Sequence, residues 1–122
     1  MNFLNLIKDI SDEFNAAWNR WDIEKMMEMM TNDVTIFSPK ISMVYPDNES
    51  NSISGKENIR NYWMALHGIM GHFTVEMVSF KKEGRLIQTK NRVIGYNIII
   101  EESFTLNEYG KIMELRYHYL EE

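Results

Sequence analysis

From Tyr96 to Leu120 the chain alternates its side chains on both sides of Asn107-Glu108-Tyr109-Gly110, the pattern of two β-strands joined by a loop. Successive strand side chains point to opposite faces. The first arm therefore sorts into Ile98, Ile100, Glu102, Phe104 and Leu106 against Asn97, Ile99, Glu101, Ser103 and Thr105. The return arm sorts into Met113, Leu115, Tyr117 and Tyr119 against Ile112, Glu114, Arg116, His118 and Leu120. Pairing Leu106 with Lys111 across the loop sets Glu101 opposite Arg116, a favourable charge pair. It also sets Glu102 opposite Leu115, with Met113 and Tyr117 at the diagonals. One face is then an apolar wall holding a single carboxylate. A slip of one residue would instead send Glu102 to water and turn Glu101 inward.

Composition bounds what surrounds that wall. At 122 residues the chain is long enough for one domain, 1–122, whose core needs no staples. Thirteen Lys and Arg against 18 Asp and Glu leave a net charge of -5 and no basic stripe for phosphates. No nucleic-acid partner is expected. The lack of cysteine excludes disulfides, thiolate metal ligands and a cysteine nucleophile. Lys8, Asp9, Asp12 and Glu13 interrupt the N-terminal apolar stretch, so neither a signal peptide nor a membrane span is expected. A cytoplasmic location is the default.

Steps of three and four relate Phe3, Ile7, Ile10, Phe14, Ala17, Trp18 and Trp21, one stripe of a helix. Asp22 can cap a second, short helix that buries Ile23, Met26, Met27 and Met30. The run Met26-Met27-Glu28-Met29-Met30 reads as core filler rather than a thioether copper site. Asn32-Asp33 breaks the pattern, Val34 to Phe37 reads as a strand stopped by Ser38-Pro39, and Ile41 to Tyr45 as another short extended piece. Asp47 to Ser52 is polar and reads as an exposed loop. Ser54-Gly55-Lys56-Glu57 has the form of a capping box before a third helix, Lys56 to His67, that buries Ile59, Tyr62, Trp63 and Leu66. Gly68 and Gly71 are expected to end it. Phe73 to Phe80 then pairs with Arg85 to Val93 through Lys82-Glu83-Gly84, with Glu76 opposite Lys90. On that pairing Phe73, Val75 and Met77 share a face with Ile87 and Val93. The sum is α+β: a curved antiparallel sheet wrapped, cone-like, around three helices from the N-terminal half, with room for a pocket between the layers.

The chain resembles the nuclear transport factor 2-like superfamily, and within it the SnoaL-like and ketosteroid-isomerase-like groups. The matching pieces are Phe14-Asn15-Ala16-Ala17-Trp18-Asn19 with Asp22-Ile23, and Asn32-Asp33-Val34-Thr35-Ile36-Phe37-Ser38-Pro39. Ser54-Gly55-Lys56-Glu57-Asn58-Ile59-Arg60 and Gly110-Lys111-Ile112 complete the set, in the family's order and over nearly the whole chain. The resemblance implies a cone-shaped domain with an apolar pocket, often a homodimer, that hosts enzymes and non-enzymes alike. Carried over residue by residue, the isomerase's general-base aspartate falls on Ser38 and its oxyanion-binding tyrosine on Phe14. Its second oxyanion donor, a protonated aspartate, falls on Glu102. The acid is kept; the base and the tyrosine are replaced. Ordinary steroid-isomerase chemistry is not expected from such a set.

Glu102 is therefore the candidate catalytic residue, since a carboxyl in an apolar pocket loses hydration and is held neutral as a donor or general acid. It also has a structural reading, as a buried acid satisfied by Tyr117 or Tyr119. Phe14, Trp18, Ser38, Trp63, Asn91, Met113, Tyr117 and Tyr119 are the candidate ligand-lining residues, with Thr89 a secondary polar one. The aromatic members serve equally as core. His67, His72 and His118 match no metal motif, so no metal and no cofactor are expected, although His72 after the glycine turn could line a pocket mouth. Ser38 lacks triad partners. Two function classes stand. One is a cofactor-free isomerase, cyclase or dehydratase-type acid–base enzyme acting on a small apolar molecule through Glu102. The other is a non-catalytic ligand-binding or protein-association module.

Overall fold

In the computed structural model, which describes the backbone of residues 3–121 and the side chains of residues 10–120, apolar steps of three and four build α1 (Phe3–Asn19). The stripe positions Phe3 and Ile7 lie outside the described side chains. Trp21, at φ +54, breaks away from the helix, and Asp22 caps α2 (Ile23–Glu28) by accepting from Lys25 N at 3.2 Å. Strand β1 (Met30–Phe37) follows at once. It begins four residues before Val34, because Met30 pairs with Ile112 and the exposed Asn32 and Asp33 occupy an irregularity inside the strand.

Ile41–Val44 forms a short helix, α3, in place of the extended piece expected there. The turn is made by Ser38, whose Oγ accepts from Lys40 N and whose carbonyl accepts from Ile41 N, both at 3.2 Å. The partner of β1 is instead β2 (Ser52–Ser54), whose Ser54 hydroxyl bonds to that of Thr35 at 2.8 Å. The capping box does not form. Gly55, at φ +94, takes the cap position of α4 (Lys56–Met70), and Ser54 stays in the sheet. Helix α4 passes through Gly68 and ends at Gly71, burying Ile59, Tyr62, Trp63 and Leu66 on one side as the spacing predicts.

Strands β3 (Val75–Glu83), β4 (Leu86–Val93), β5 (Ile98–Leu106) and β6 (Ile112–Glu121) complete a six-stranded sheet of order β2-β1-β6-β5-β4-β3. The sheet is mixed rather than wholly antiparallel, since β1 runs parallel to β6. The class is α+β, with four helices rather than three. The β3–β4 turn is the pair Gly84-Arg85, and Glu76 stands opposite Arg92, not Lys90, with a bulge at Val78. Val75 and Met77 do share the face of Val93, paired with Val93 and Asn91, whereas Phe73 precedes the strand.

In the last hairpin Glu102 pairs with Tyr117 and Glu101 with His118, two residues from the expected register. Leu106 pairs with Ile112, and Met113 is the extra residue of a β-bulge. Faces alternate with period two, so this displacement leaves Glu102 pointing inward. Met113, however, is expelled to 44% exposure while Ile112 takes the core position. Fully buried Ile36, Leu115, Phe104 and Ile87 form a row across four adjacent strands. Phe14 of α1 closes on that row, its ring 5.2 Å from that of Phe104 in edge geometry. Burying such a row and the helical stripes above it is what holds the layers together.

Candidate functional site

One step along the strands from the apolar row, the inward face turns polar. Thr89 of β4, Glu102 of β5 and Tyr117 of β6 lie directly across from one another. The next step brings Asn91, Ile100 and Tyr119 into line. The sheet thus carries a hydroxyl, a carboxyl and a phenol in one row above a hydrocarbon floor. Helices α1 and α4 supply the opposing wall through Phe14, Asn15, Trp18, Tyr62 and Trp63. Between the walls is a cavity with about 50 Å³ of free room.

Glu102 is 5% exposed. Burial raises its carboxyl to about 7, because the charged form loses its water, while the Tyr117 and Thr89 hydroxyls pull the other way. Oε1 nevertheless has no hydrogen-bond partner, so the two hydroxyls leave part of the carboxyl unsatisfied. Burial, then the neighbouring Glu102 carboxyl, pushes the Tyr117 phenol well above its ordinary range, and it stays a neutral donor. The Tyr119 phenol is also raised, mainly by burial, although the Ser38 hydroxyl favours its ionised form. Tyr62 is raised by burial against the same opposing effect of Ser38.

A relay of amides orients the β4 side of the row. Asn15 Nδ2 donates to Asn91 Oδ1 at 2.8 Å, and Asn91 Nδ2 donates to Thr89 Oγ1 at 3.2 Å. Thr89 accepts from Asn91, so its own proton is free to be given to Glu102. The end of α1 is fastened to β3 beside this relay. Asn19 donates to Val75 O at 2.9 Å and accepts from Val75 N at 2.8 Å, while Trp18 Nε1 donates to Phe73 O at 3.0 Å.

Phe14, Trp18, Ser38, Trp63, Asn91, Tyr117 and Tyr119 all line the cavity with Glu102. Met113 does not. The bulge that admits Ile112 to the core turns Met113 outward, a displacement invisible to simple alternation. Asn15 and the Tyr62 hydroxyl belong to the site although neither stood among the expected polar groups. The spacing of Asn15 and Asn19, four apart beside the apolar stripe, is the signal that marks a polar helix edge.

The histidines separate. His118 is exposed opposite Glu101. His72 Nε2 bonds to Asn19 O at 2.8 Å, and its Nδ1 lies 3.3 Å from His67 Nε2. Trp21 stacks on His67 at 3.9 Å between ring centres. Among the described residues there is no group of three or more side chains suited to a metal ion, and no helix is long and apolar enough to cross a membrane.

No protein-family model matches the chain, and no curated protein matches it in sequence. Solved structures do. A SnoaL-like protein of unknown function from Burkholderia thailandensis superposes at a TM-score of 0.85 with 18% identity, over 98% of this chain and 99% of that one. A candidate polyketide cyclase from Sinorhizobium meliloti gives 0.73 with 18% identity, over 90% of this chain and 94% of that one. SalBIII, an epoxide hydrolase/cyclase-like enzyme of pyran ring formation in the polyether salinomycin, gives 0.75 with 20% identity, over 98% and 95%. At such identities likeness speaks for architecture, and by that measure the chain has the nuclear transport factor 2-like fold.

Proposed function

We propose that the chain is an acid–base enzyme acting on a small apolar molecule, with Glu102 as the group that donates to the substrate's oxygen. The observation carrying this reading is a buried carboxyl with an unpartnered Oε1 in the wall of a largely apolar cavity. Held up to about 7, that carboxyl keeps a substantial protonated share at neutral pH. It can then hydrogen-bond a carbonyl as negative charge develops, or protonate a departing hydroxyl. Tyr117, paired with it across the sheet and kept neutral, hydrogen-bonds the carboxyl and orients it. These are the needs of an isomerase, cyclase or dehydratase in which water takes the proton leaving carbon while the carboxyl supports the developing oxyanion or protonates the leaving hydroxyl. The likeness to a candidate polyketide cyclase and to SalBIII supports an oxygenated, apolar carbon skeleton as the substrate class.

A second reading, a non-catalytic binding module, rests on Ser38. It is buried just after β1 without a carboxylate to act as base, and its hydroxyl is engaged with Tyr62 and Tyr119. One experiment separates the two. Apolar β-diketones are incubated in deuterated buffer, and label at the carbon between the carbonyls is followed by mass spectrometry. Exchange above buffer rate that disappears in Glu102→Gln, with the fold intact by circular dichroism, is the expected result. Exchange at the buffer rate, while the same diketone quenches Trp18 and Trp63 fluorescence, would leave the binding module in its place. The reading also takes the chain as a homodimer, with the outward Val78 and Met113 of the two bulges supplying apolar contact. Sedimentation showing a monomer at high concentration removes that element.

A further inference from the structure

A second, larger chamber of about 500 Å³ lies beside the first. The two share Met70, Phe73, Ile100 and Tyr119, so they adjoin along a largely apolar wall. The walls of this outer chamber are largely hydrocarbon and aromatic, with one permanent charge, Lys40. Among the described residues no carboxylate lines it.

Lys40 is placed there by the turn that Ser38 makes. Its backbone N–H is held by Ser38 Oγ, and its ammonium lies 5.1 Å from the centre of the Tyr119 ring. A cation over an aromatic face is stabilised without being neutralised. Among the described residues no acid is paired with Lys40. The other basic side chain of the chamber, His72, is already committed. A carbonyl only accepts, so His72 Nε2 must donate to Asn19 O, and Nδ1 then accepts from His67 Nε2. Among the described residues Lys40 is thus the basic group of the lining whose side-chain N–H donors have no hydrogen-bond or acidic partner.

We propose that the outer chamber is a subsite for the carboxylate end of an amphipathic ligand, held by Lys40 while the apolar body reaches inward toward Glu102. One ammonium with no second free basic donor matches a single negative charge, whereas a phosphate dianion calls for several donors. The inference rests on the reading that the inner cavity takes a small apolar molecule, and it adds what stands at the other end of that molecule.

Decanoate, decanol and decyl phosphate, each below its micellar concentration, are titrated into the full chain and followed by Trp18 and Trp63 fluorescence. Decanoate should bind about tenfold more tightly than decanol, an advantage that shrinks as salt is raised. Lys40→Met, which keeps the stem over Tyr119, should erase the advantage; Lys40→Arg should keep it. Equal affinity of acid and alcohol in the unaltered chain overturns the subsite while leaving the cavity reading standing. So does a carboxylate preference that survives Lys40→Met. Decyl phosphate binding more tightly than decanoate overturns the carboxylate assignment. If none of the three binds, the cavity reading fails and the subsite with it.

Discussion

Glu102 and Tyr117 face each other across β5 and β6, and the phenol favours the carboxylate more than the Thr89 hydroxyl on the other side does. The pairing depends on the Met113 bulge, which shifts the rest of β6 along β5. It sets the balance of the site. Burial favours the neutral acid, and the phenol and the Thr89 hydroxyl favour the anion, with burial the larger effect.

The first prediction concerns stability against pH. A carboxyl whose folded value is about 7, against an ordinary 4.5, binds more protons in the native state than in the unfolded chain between those values. Its contribution is fully present below about 4.5 and is lost as pH rises through about 7, in all about 3 kcal/mol. Glu102→Gln has no such proton. Urea unfolding at pH 5 and pH 8 should show the difference between variant and parent moving in the variant's favour by roughly that amount. Parallel pH profiles for the two proteins would refute the raised value.

The second prediction isolates the phenol. Tyr117→Phe removes a donor to the anion, so the Glu102 titration should move upward, followed by carbon NMR of its labelled carboxyl. Thr89→Val should move it the same way by less, since Thr89 is the smaller of the two opposing effects. A downward movement in Tyr117→Phe contradicts this assignment of the phenol.

Much of this was legible in the chain, and what was not has a physical cause. Alternation places Glu102 inward and Glu101 outward, because the faces of a strand survive a two-residue change of register. The register itself was not legible. Bulges at Met113 and Val78 each add a residue that keeps the local pattern plausible while shifting everything beyond it. Ile41 to Val44 looked extended because four residues are too few to show a helical period, and their turn depends on Ser38 acting as a local cap. Asn15 and Lys40 enter the site through tertiary contacts, with Asn91 and with the Tyr119 ring, that nothing in the local spacing encodes.

The third prediction contrasts two expected lining residues. Phe14 is 2% exposed and packs edge-on against both Phe104 and Trp63. Phe14→Ala should cost about 3–5 kcal/mol in chemical denaturation, through lost burial and the cavity left behind. Met113→Ala, on the bulge, should stay within about 0.5 kcal/mol of the parent when both are measured at a dilution where the chain is monomeric. A large loss from Met113→Ala would mean that its side chain packs inward after all.

The fourth prediction separates two glycines that look alike in sequence as ends of α4. Gly68 lies inside the helix, and a Cβ added there meets nothing within 4 Å. Alanine at this position lowers the entropy of the unfolded chain without a clash, so Gly68→Ala should stabilise by about 0.5–1 kcal/mol. Gly71 also has open space, but its backbone sits at φ +78, ψ 173, a region that side chains other than hydrogen hardly enter. Gly71→Ala should therefore destabilise by about 1–3 kcal/mol through backbone strain alone. Its N–H donates to His67 O and closes the helix just before His72, so the strain falls on the segment that positions the outer chamber. Thermal melts of the two variants should move in opposite directions; a shared direction would show that the helix does not end where the Gly71 backbone places it.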